Sequence, residues 1–272
     1  MTPPRPARSS AQPRRIVGLV ARTIVIALLA IGGYGIWYLF LQPAGPAPVG
    51  QASLPPVPSN AAASGTAPAS SAAASGGSPV ASTATSGGAI DGTWNVDTSI
   101  GSFSDFTGSF VGYRVQEELG GVGANTAVGR TPDVTGSLTI AGTTVTAGTI
   151  TADLTTLVSD DRRRDGQLSR QGIQTSTYPT ATFTLSSPIE LGSVPADGQE
   201  ITVTAKGQLT LHGQTKDVEL PLKARLQNGV IAAAGSLPIV FADYGIQKPT
   251  SFAVLSIADE GTMELQLFFS RA

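Results

Sequence analysis

The chain has no cysteine and a single histidine, His212, among its 272 residues. The missing thiols exclude a disulfide framework, thiolate catalysis and zinc–sulfur sites. One histidine also excludes most transition-metal sites and most pairs of a nucleophile with a histidine base. No G-x-S-x-G sequence is present, and the acidic pairs Glu117-Glu118 and Asp160-Asp161 lack the separation that acid–base catalysis requires. The sequence therefore predicts neither a catalytic site nor a metal site.

Negative charge is absent from the first ninety residues, because all 19 acidic residues lie at or after Asp91. Five arginines lie before position 23, and the other twelve basic residues begin at Arg114. The C-terminal part therefore combines twelve basic with 19 acidic residues, a net charge of −7. Binding of a nucleic acid requires a concentrated cationic surface, so this composition argues against a nucleic-acid partner.

One long hydrophobic run interrupts the polar N-terminal region. Residues 23–41 contain no charged residue, and at ~1.5 Å per residue the run is long enough to cross a ~30 Å bilayer core. Residues 1–22 carry the five arginines and are predicted to form a cytoplasmic tail. We therefore predict a single-pass anchor in the cytoplasmic membrane, with the C-terminal part extracytoplasmic. A cleaved signal peptide is the alternative.

Residues 42–89 contain almost only Ala, Ser, Gly, Pro and Thr, with no charged and no aromatic residue. Such a composition cannot bury enough apolar surface to offset the entropy that is lost on ordering. We predict that this stretch is a disordered linker between the transmembrane helix and a folded domain at residues 90–272.

Two long runs in the folded part alternate apolar and polar residues. They lie within residues 201–211 and 218–226 and are joined at His212-Gly213. A period of two places successive side chains on opposite faces of a strand, and glycine tolerates the positive φ of a tight hairpin turn. Gly207, within the first run, predicts a bend or a bulge. Further runs of this kind give about eight strands, which predict an all-β, closed antiparallel barrel.

The only strongly charged stretch of the domain, residues 159–174, has a different pattern. It begins with candidate N-cap residues and has few apolar residues, which predicts one or two helical turns across an end of the barrel. Arg162, Arg163 and Arg164 are candidates for contacting a phosphate headgroup at the barrel mouth, because guanidinium groups match phosphate oxygens. The alternative is a solvated helix face whose charge is balanced by neighbouring aspartates.

Several short segments, in this order, resemble the YceI-like family of lipocalin-like barrels. They are Trp94-Asn95-Val96-Asp97, the aromatic strand from Gly108 to Val115, Thr151-Ala152-Asp153-Leu154, Arg164 to Leu168, Tyr178-Pro179, Ala181-Thr182-Phe183, Gly207 to Gly213, and Asp243-Tyr244-Gly245-Ile246. The resemblance covers essentially residues 91–272. It implies an extended antiparallel barrel that holds a polyisoprenoid or a similar lipid, such as a quinone precursor. We predict no cofactor other than such a lipid.

The resemblance places the ligand inside the barrel, in contact with aromatic and apolar side chains. The candidates are Phe106, Phe110, Tyr113, Phe183, Leu209, Phe241 and Tyr244. The headgroup candidates are the three arginines and His212, for which a structural role at the hairpin turn is the alternative. Small residues at predicted interior positions, such as Ala147 and Ala205, would leave volume for a ligand, whereas a solid core is the alternative.

These observations predict a membrane-tethered, non-catalytic carrier or store of lipid, whose affinity comes from burial of apolar surface. The alternative from another class is a structural or stress-related surface module with a solid core and a protein partner. An enzyme acting on isoprenoids is a third option, and it would require His212 or one of the three arginines to face the cavity. The oligomeric state is left open, with a homodimer as one option.

Overall fold

The computed structural model describes residues 26, 29, 46–49, 57, 90–252 and 254–272. The chain divides into two compact units. The first contains Met1–Ala44 and Gly121–Gly123, and the second contains Gly45–Gly120 and Ala124–Ala272. The predicted cytoplasmic tail, most of the predicted membrane span and most of the predicted linker lie outside the described residues. Within the described part of the chain, no helix is both long and apolar enough to cross a membrane.

The folded part of the chain is built mainly from β-strands. Its twelve strands are β1 (Gly92–Val96), β2 (Phe110–Leu119), β3 (Gly123–Thr131), β4 (Val134–Ala141), β5 (Thr144–Asp153), β6 (Val158–Ser159), β7 (Thr180–Leu185), β8 (Ile189–Glu190), β9 (Glu200–Leu211), β10 (Gln214–Gln227), β11 (Val230–Val240) and β12 (Val254–Arg271). From position 90 onward, the described helices are α1 (Arg162–Arg170) and two short 3-10 helices, Leu154–Thr156 and Phe241–Tyr244.

Eight of these strands close into an antiparallel barrel. Their order is β1-β4-β5-β7-β9-β10-β11-β12, and pairing of β12 with β1 completes the ring. The 18-residue strand β12 also pairs with β2, which continues to β3 and β6 outside the ring. Closure removes the exposed sheet edges that would otherwise invite pairing with another chain. The predicted all-β, lipocalin-like antiparallel barrel of about eight strands with one short helix is therefore confirmed.

Strands β9 and β10 form the long hairpin that the alternating pattern predicts. Their pairing continues over the whole of β9 without a register shift. His212 and Gly213 form the two-residue loop, with φ angles of 51° and 70°. Both angles lie in the left-handed region, as a type I′ turn requires, and glycine adopts this region without strain.

Gly207 lies in an unbroken ladder, not at the predicted bulge. It pairs with Val218 in the register of its neighbours. A Cβ atom at this position would overlap the ring of Phe183 and lie 2.5 Å from the backbone oxygen of Thr184. The glycine is therefore required because strand β7 brings an aromatic ring across the surface of β9.

Strand β5 contains a register irregularity that moves one predicted interior residue to the surface. Thr139 pairs with Ala147, whereas the next residue, Ile140, pairs with Val145. Strand β5 therefore has one extra residue at this point. Val145 and Gly148 consequently line the interior, and Ala147 is exposed. The prediction of an interior Ala147 was wrong because a bulge breaks the period of two.

Helix α1 begins where the sequence predicts a cap. The side chain of Asp161 accepts a hydrogen bond from the backbone N–H of Arg163 at 2.8 Å. Asp165, in the first turn, accepts one from the N–H of Ser159 at 2.9 Å. Both carboxylates lie near the helix N-terminus, where negative charge is favourable.

The segment before β2 is a loop that covers part of the outer barrel wall. The side-chain amide of Gln266, on β12, donates hydrogen bonds to the backbone oxygens of Phe106 at 3.0 Å and Gly108 at 2.8 Å. The side-chain hydroxyl of Ser109 accepts one from the N–H of Phe268 at 3.0 Å. The outer face of β12 is therefore buried beneath this loop as well as hydrogen-bonded along its edges.

Substitution of Gly207 tests the close approach of β7 and β9. Gly207→Ala is expected to lower the free energy of unfolding by about 1–3 kcal/mol, because the added carbon overpacks the interior. Gly148→Ala is the matched control, since a Cβ there meets Leu185 and Leu138 only at 3.8 and 3.9 Å. Urea unfolding measures both variants. Equal stabilities would show that the Phe183 ring does not require a glycine opposite it.

Candidate functional site

The interior of the barrel contains an apolar cavity of about 120 Å3. Ser137 is the only hydroxyl-bearing residue among those described in its lining, and no charged residue is among them. The lining includes five small residues, Gly148, Ala152, Ala181, Ala205 and Ala233. Small residues at inward positions leave space that larger side chains would fill. This arrangement suits an apolar ligand and offers almost no polar group for chemistry.

The alternation of side chains along the strands creates this lining. Every second residue in one part of β12 lines the cavity: Met263, Leu265, Leu267 and Phe269. Residues between them point to the opposite face of the sheet. The interior is therefore a direct consequence of the period-two pattern, provided that the register is unbroken.

Two of the seven predicted ligand-contacting residues line the cavity. They are Phe183 on β7 and Leu209 on β9. The other five are not among its lining residues: Phe106, Phe110, Tyr113, Phe241 and Tyr244. Contact of Phe183 and Leu209 with a ligand remains a prediction, which their position supports.

Phe106 and Phe110 lie on the outer side of the β2–β12 wall. Their rings are 5.9 Å apart in an edge-to-face arrangement. The guanidinium of Arg130 lies 4.5 Å from the ring centroid of Phe106 and 4.3 Å from that of Phe110. The two phenylalanines therefore form a cation–π cluster away from the cavity.

Tyr113 is half-buried and lies two residues after Val111 on the same face of β2. Its ring lies over Gly129, where a Cβ atom would overlap it. Burial raises the pKa of the Tyr113 hydroxyl, with nearby Asp160 acting in the same direction and Arg164 opposing it. Its oxygen has no hydrogen-bond partner among the described residues. Tyr113 is therefore a neutral packing residue at physiological pH.

Phe241 and Tyr244 lie in the 3-10 helix that follows β11. The backbone oxygen of Tyr244 is 2.9 Å from Nδ1 of His212, and the ring centroids of His212 and Tyr178 are 4.3 Å apart. His212 is buried at 8% exposure and does not line the cavity. Its contacts connect the β9–β10 turn to two other loops, which favours the structural alternative for this histidine.

The three predicted headgroup arginines do not converge on one site. Arg162 and Arg163 are exposed at the start of α1. Arg164 is half-buried, pairs with Glu117 at 2.5 Å and also pairs with Asp160. Burial opposes the charge of Arg164, but the two carboxylates prevail and raise its pKa above the ordinary value. Arg164 is therefore committed to ion pairs that attach α1 to β2.

Sequence reasoning missed a second group of charges, on the outer wall of the barrel. Arg114 and Arg130 both pair with Glu264, at 2.6 and 3.2 Å. Glu264 lies between two inward apolar residues of β12, so the alternation of side chains places it on the outer face of the sheet. The Glu264 side chain is only 1% exposed, because residues that are distant in sequence cover it. No group of three metal-ligating side chains occurs among the residues that the structure describes.

Replacement of the α1 arginines distinguishes their roles. Arg164→Met is expected to lower the free energy of unfolding by about 3 kcal/mol, because Glu117 is left buried without its cation. Arg162→Met, an exposed position on the same helix, is the control and is expected to change stability by less than about 0.5 kcal/mol. Urea unfolding measures both. A similar cost for the two variants would contradict a structural role for the Arg164 pairs.

Several solved structures are similar to the chain. A polyisoprenoid binding domain from Saccharophagus degradans, implicated in plant cell wall breakdown, is 19% identical, with a TM-score of 0.49 over 66% of this chain and 99% of that chain. BcnA from Burkholderia cenocepacia is 21% identical, with a TM-score of 0.45 over 59% of this chain and 95% of that chain. A YCEI protein from Campylobacter jejuni is 17% identical, with a TM-score of 0.42 over 52% of this chain and 82% of that chain.

The sequence pattern of the YceI-like domain provides the family assignment. No curated protein matches the chain. The YceI-like domain matches residues 94–269, well over half of the chain, and this range runs from β1 to β12. The match therefore includes residues from every strand of the closed ring, together with α1. The chain belongs to the YceI-like domain family.

Proposed function

We propose that the barrel is a non-catalytic binding protein that holds a polyisoprenoid or a similar long-chain lipid in its interior. The observation that carries this proposal is the apolar cavity inside the closed ring. Burial of apolar surface, at about 25 cal/mol per Å2, supplies affinity for a chain that has no polar groups. Membership of the YceI-like family, for which the sequence resemblance implies such a lipid, supports the same ligand class.

The volume of the cavity determines how much of a chain the barrel holds without rearrangement. An engineered apolar cavity of ~150 Å3 stays dry and binds benzene. The cavity of about 120 Å3 therefore suits roughly one isoprene unit. A longer chain requires lining side chains to change rotamer. Met263 is well suited to do so, because methionine is unbranched and adapts to irregular space.

The same small volume favours a second candidate from a different class. A surface module with a packed interior would present its outer wall to a protein partner, in a structural or stress-related role. In that case the cavity of about 120 Å3 is a packing defect and not the start of a binding tunnel. The two candidates differ in whether a lipid accompanies the protein.

The proposal assigns no reaction to the protein. Neither His212 nor the three arginines of α1 line the cavity, and the third option, an isoprenoid enzyme, required one of them to face it. His212 contacts a backbone oxygen and an aromatic ring, and neither contact is with a carboxylate that would orient it as a base. These placements support binding without catalysis.

The lipid proposal is tested on the purified full chain. An organic extract is expected to contain a long-chain lipid in stoichiometric amount by mass spectrometry, and the delipidated protein is expected to take up added polyprenol. Ala205→Leu is expected to weaken uptake by about tenfold or more, because its added carbons occupy the cavity. Thr204→Leu is the matched control, since the neighbouring Thr204 is exposed on the other face of β9.

Thermal unfolding verifies that both β9 variants are folded before uptake is compared. No lipid in the extract and no uptake by the wild-type protein would contradict the lipid proposal and favour the surface module. Equal uptake by Ala205→Leu and Thr204→Leu would show that any bound lipid lies outside this cavity.

We also propose that residues 23–41 anchor the protein in the cytoplasmic membrane, with the barrel on the extracytoplasmic side. The uncharged run is long enough to span a bilayer, and the five arginines before it favour a cytoplasmic N-terminus. Residues 42–89 then connect the anchor to the barrel. A tether at the membrane suits a protein whose ligand is itself a membrane lipid.

Membrane fractionation tests the anchor and its orientation. The full chain is expected to stay in carbonate-washed membranes, and protease is expected to digest the barrel in right-side-out vesicles only. Leu29→Arg with Ile31→Arg is expected to release the protein, because each arginine near the centre of a span costs about 2.5–3.5 kcal/mol. Val80→Arg, in the predicted linker, is the control. Carbonate extraction of the wild-type chain would contradict the anchor, and digestion in inverted vesicles would contradict the orientation.

A further inference from the structure

Two pieces of the predicted linker lie against the outer wall of the barrel. Val49 is 8% exposed and belongs to a buried cluster with Phe110 and Ala234. Val57 packs against a second buried cluster, formed by Ile100, Val230, Ala232 and Phe268. We call residues 46–49 and 57 the strap. Because Ala233 lines the cavity, its neighbours on β11 face outward, so the strap and the cavity lie on opposite faces of the same wall.

The barrel binds the strap through its main chain. Arg130 donates a hydrogen bond to the backbone oxygen of Ala47 at 2.9 Å. Arg114 donates a hydrogen bond to the backbone oxygen of Pro46. The N–H of Val49 donates to the carboxylate of Glu264 at 3.3 Å. Recognition of backbone groups in this way selects an extended segment and not a particular side chain.

The three barrel residues form a site that is already assembled by ion pairs. Glu264 contacts both guanidinium groups, and the side chains of Glu264 and Arg130 are 1% and 3% exposed. Burial of two cations and one carboxylate on the outside of a barrel is costly unless polar groups complete their hydrogen bonds. Two backbone oxygens and one N–H of the strap supply those bonds. The charges and the strap therefore stabilise each other.

An aromatic surface next to the charges receives the side chain of Val49. Phe103 and Phe106 pack at the edge of the Val49 cluster, and Phe110 forms its buried centre at 1% exposure. The Arg130 guanidinium lies over two of these rings, which fixes the position of its donor groups. The site thus combines a small apolar pocket with donors and an acceptor for the backbone beside it.

We propose that the outer wall around Arg114, Arg130 and Glu264 is a peptide-binding site for an extended, proline-containing segment, and that its occupant is the strap of the same chain. The sequence of the strap suits this role. Pro46 and Pro48 restrict the backbone, so less conformational entropy is lost on binding. Three of the four large apolar residues in the predicted linker lie between positions 49 and 57, and these are the residues that an apolar wall would retain.

Docking of the strap divides the predicted linker into two parts. Residues 58–91 lie between the strap and β1, and only residues 42–45 lie between the strap and the apolar run. Together with the proposed membrane anchor, on which this consequence rests, the strap shortens the free tether to a few residues. The peptide site itself requires neither the anchor nor a lipid in the cavity.

Hydrogen–deuterium exchange of the full chain tests the strap. The backbone amide of Val49 is expected to exchange about tenfold or more slowly than those in residues 60–85, because it donates a hydrogen bond to the buried carboxylate of Glu264. Val49→Asp with Val57→Asp is expected to abolish this difference and to leave exchange in the barrel strands unchanged. Val80→Asp makes the same chemical change later in the predicted linker and is expected to leave the strap protected.

A labelled synthetic peptide of residues 44–58 tests the site in the same samples. It is expected to bind the chain that carries Val49→Asp and Val57→Asp, and not the wild-type chain, whose site is filled. Arg114→Met in that variant is expected to weaken peptide binding by about tenfold, since one charge-assisted hydrogen bond is lost.

Exchange of the Val49 amide as fast as that of residues 60–85 in the wild-type chain would overturn the proposal. Equal binding of the peptide to the wild-type chain and to the valine double variant would also overturn it. Protection that disappears on dilution would assign the site to the strap of a second copy and would contradict the occupant proposed above. Lipid content is measured separately, so failure here does not bear on the cavity.

Discussion

Residues 264–269 of strand β12 are buried on both faces of the sheet, and packing on the two sides of this wall depends on them. Its inner side chains line the cavity, whereas Glu264, Gln266 and Phe268 on the outer face are covered by a loop and by the strap. A strand that is buried on both faces has no side open to water, so each polar group on it requires a partner within the protein. Glu264 finds two arginines, and Gln266 donates to two backbone oxygens.

Packing on the inside of the barrel is controlled by residue size. Gly207 admits the ring of Phe183, while alanines on four strands leave a cavity that the larger aliphatic side chains do not fill. The polar groups of the lining are reduced to one hydroxyl. The interior can therefore distinguish ligands by shape and length but hardly by hydrogen bonding, which suits a chain-like lipid better than a polar metabolite.

Two of the four ionisable side chains that first suggested a headgroup site are committed to structural contacts. Arg164 attaches α1 to Glu117, and His212 bonds a backbone oxygen behind the β9–β10 turn. The charges with the most unusual environment, around Glu264, lie outside the barrel, where they bind the backbone of the strap. The inner and outer faces of one wall thus have separate proposed roles, a lipid inside and the chain's own linker outside.

Features that depend on neighbouring residues could be predicted from the sequence: the closed antiparallel barrel, the β9–β10 hairpin, a capped helix start within residues 159–161 and the inward face that contains Leu209. Period-two alternation, turn chemistry and capping act over a few residues, so they can be read along the chain. The exposure of Ala147, the outward position of Phe110 and the burial of Glu264 with two arginines could not be predicted in this way. These outcomes depend on the register of strands and on contacts across more than a hundred residues, and no local pattern contains that information.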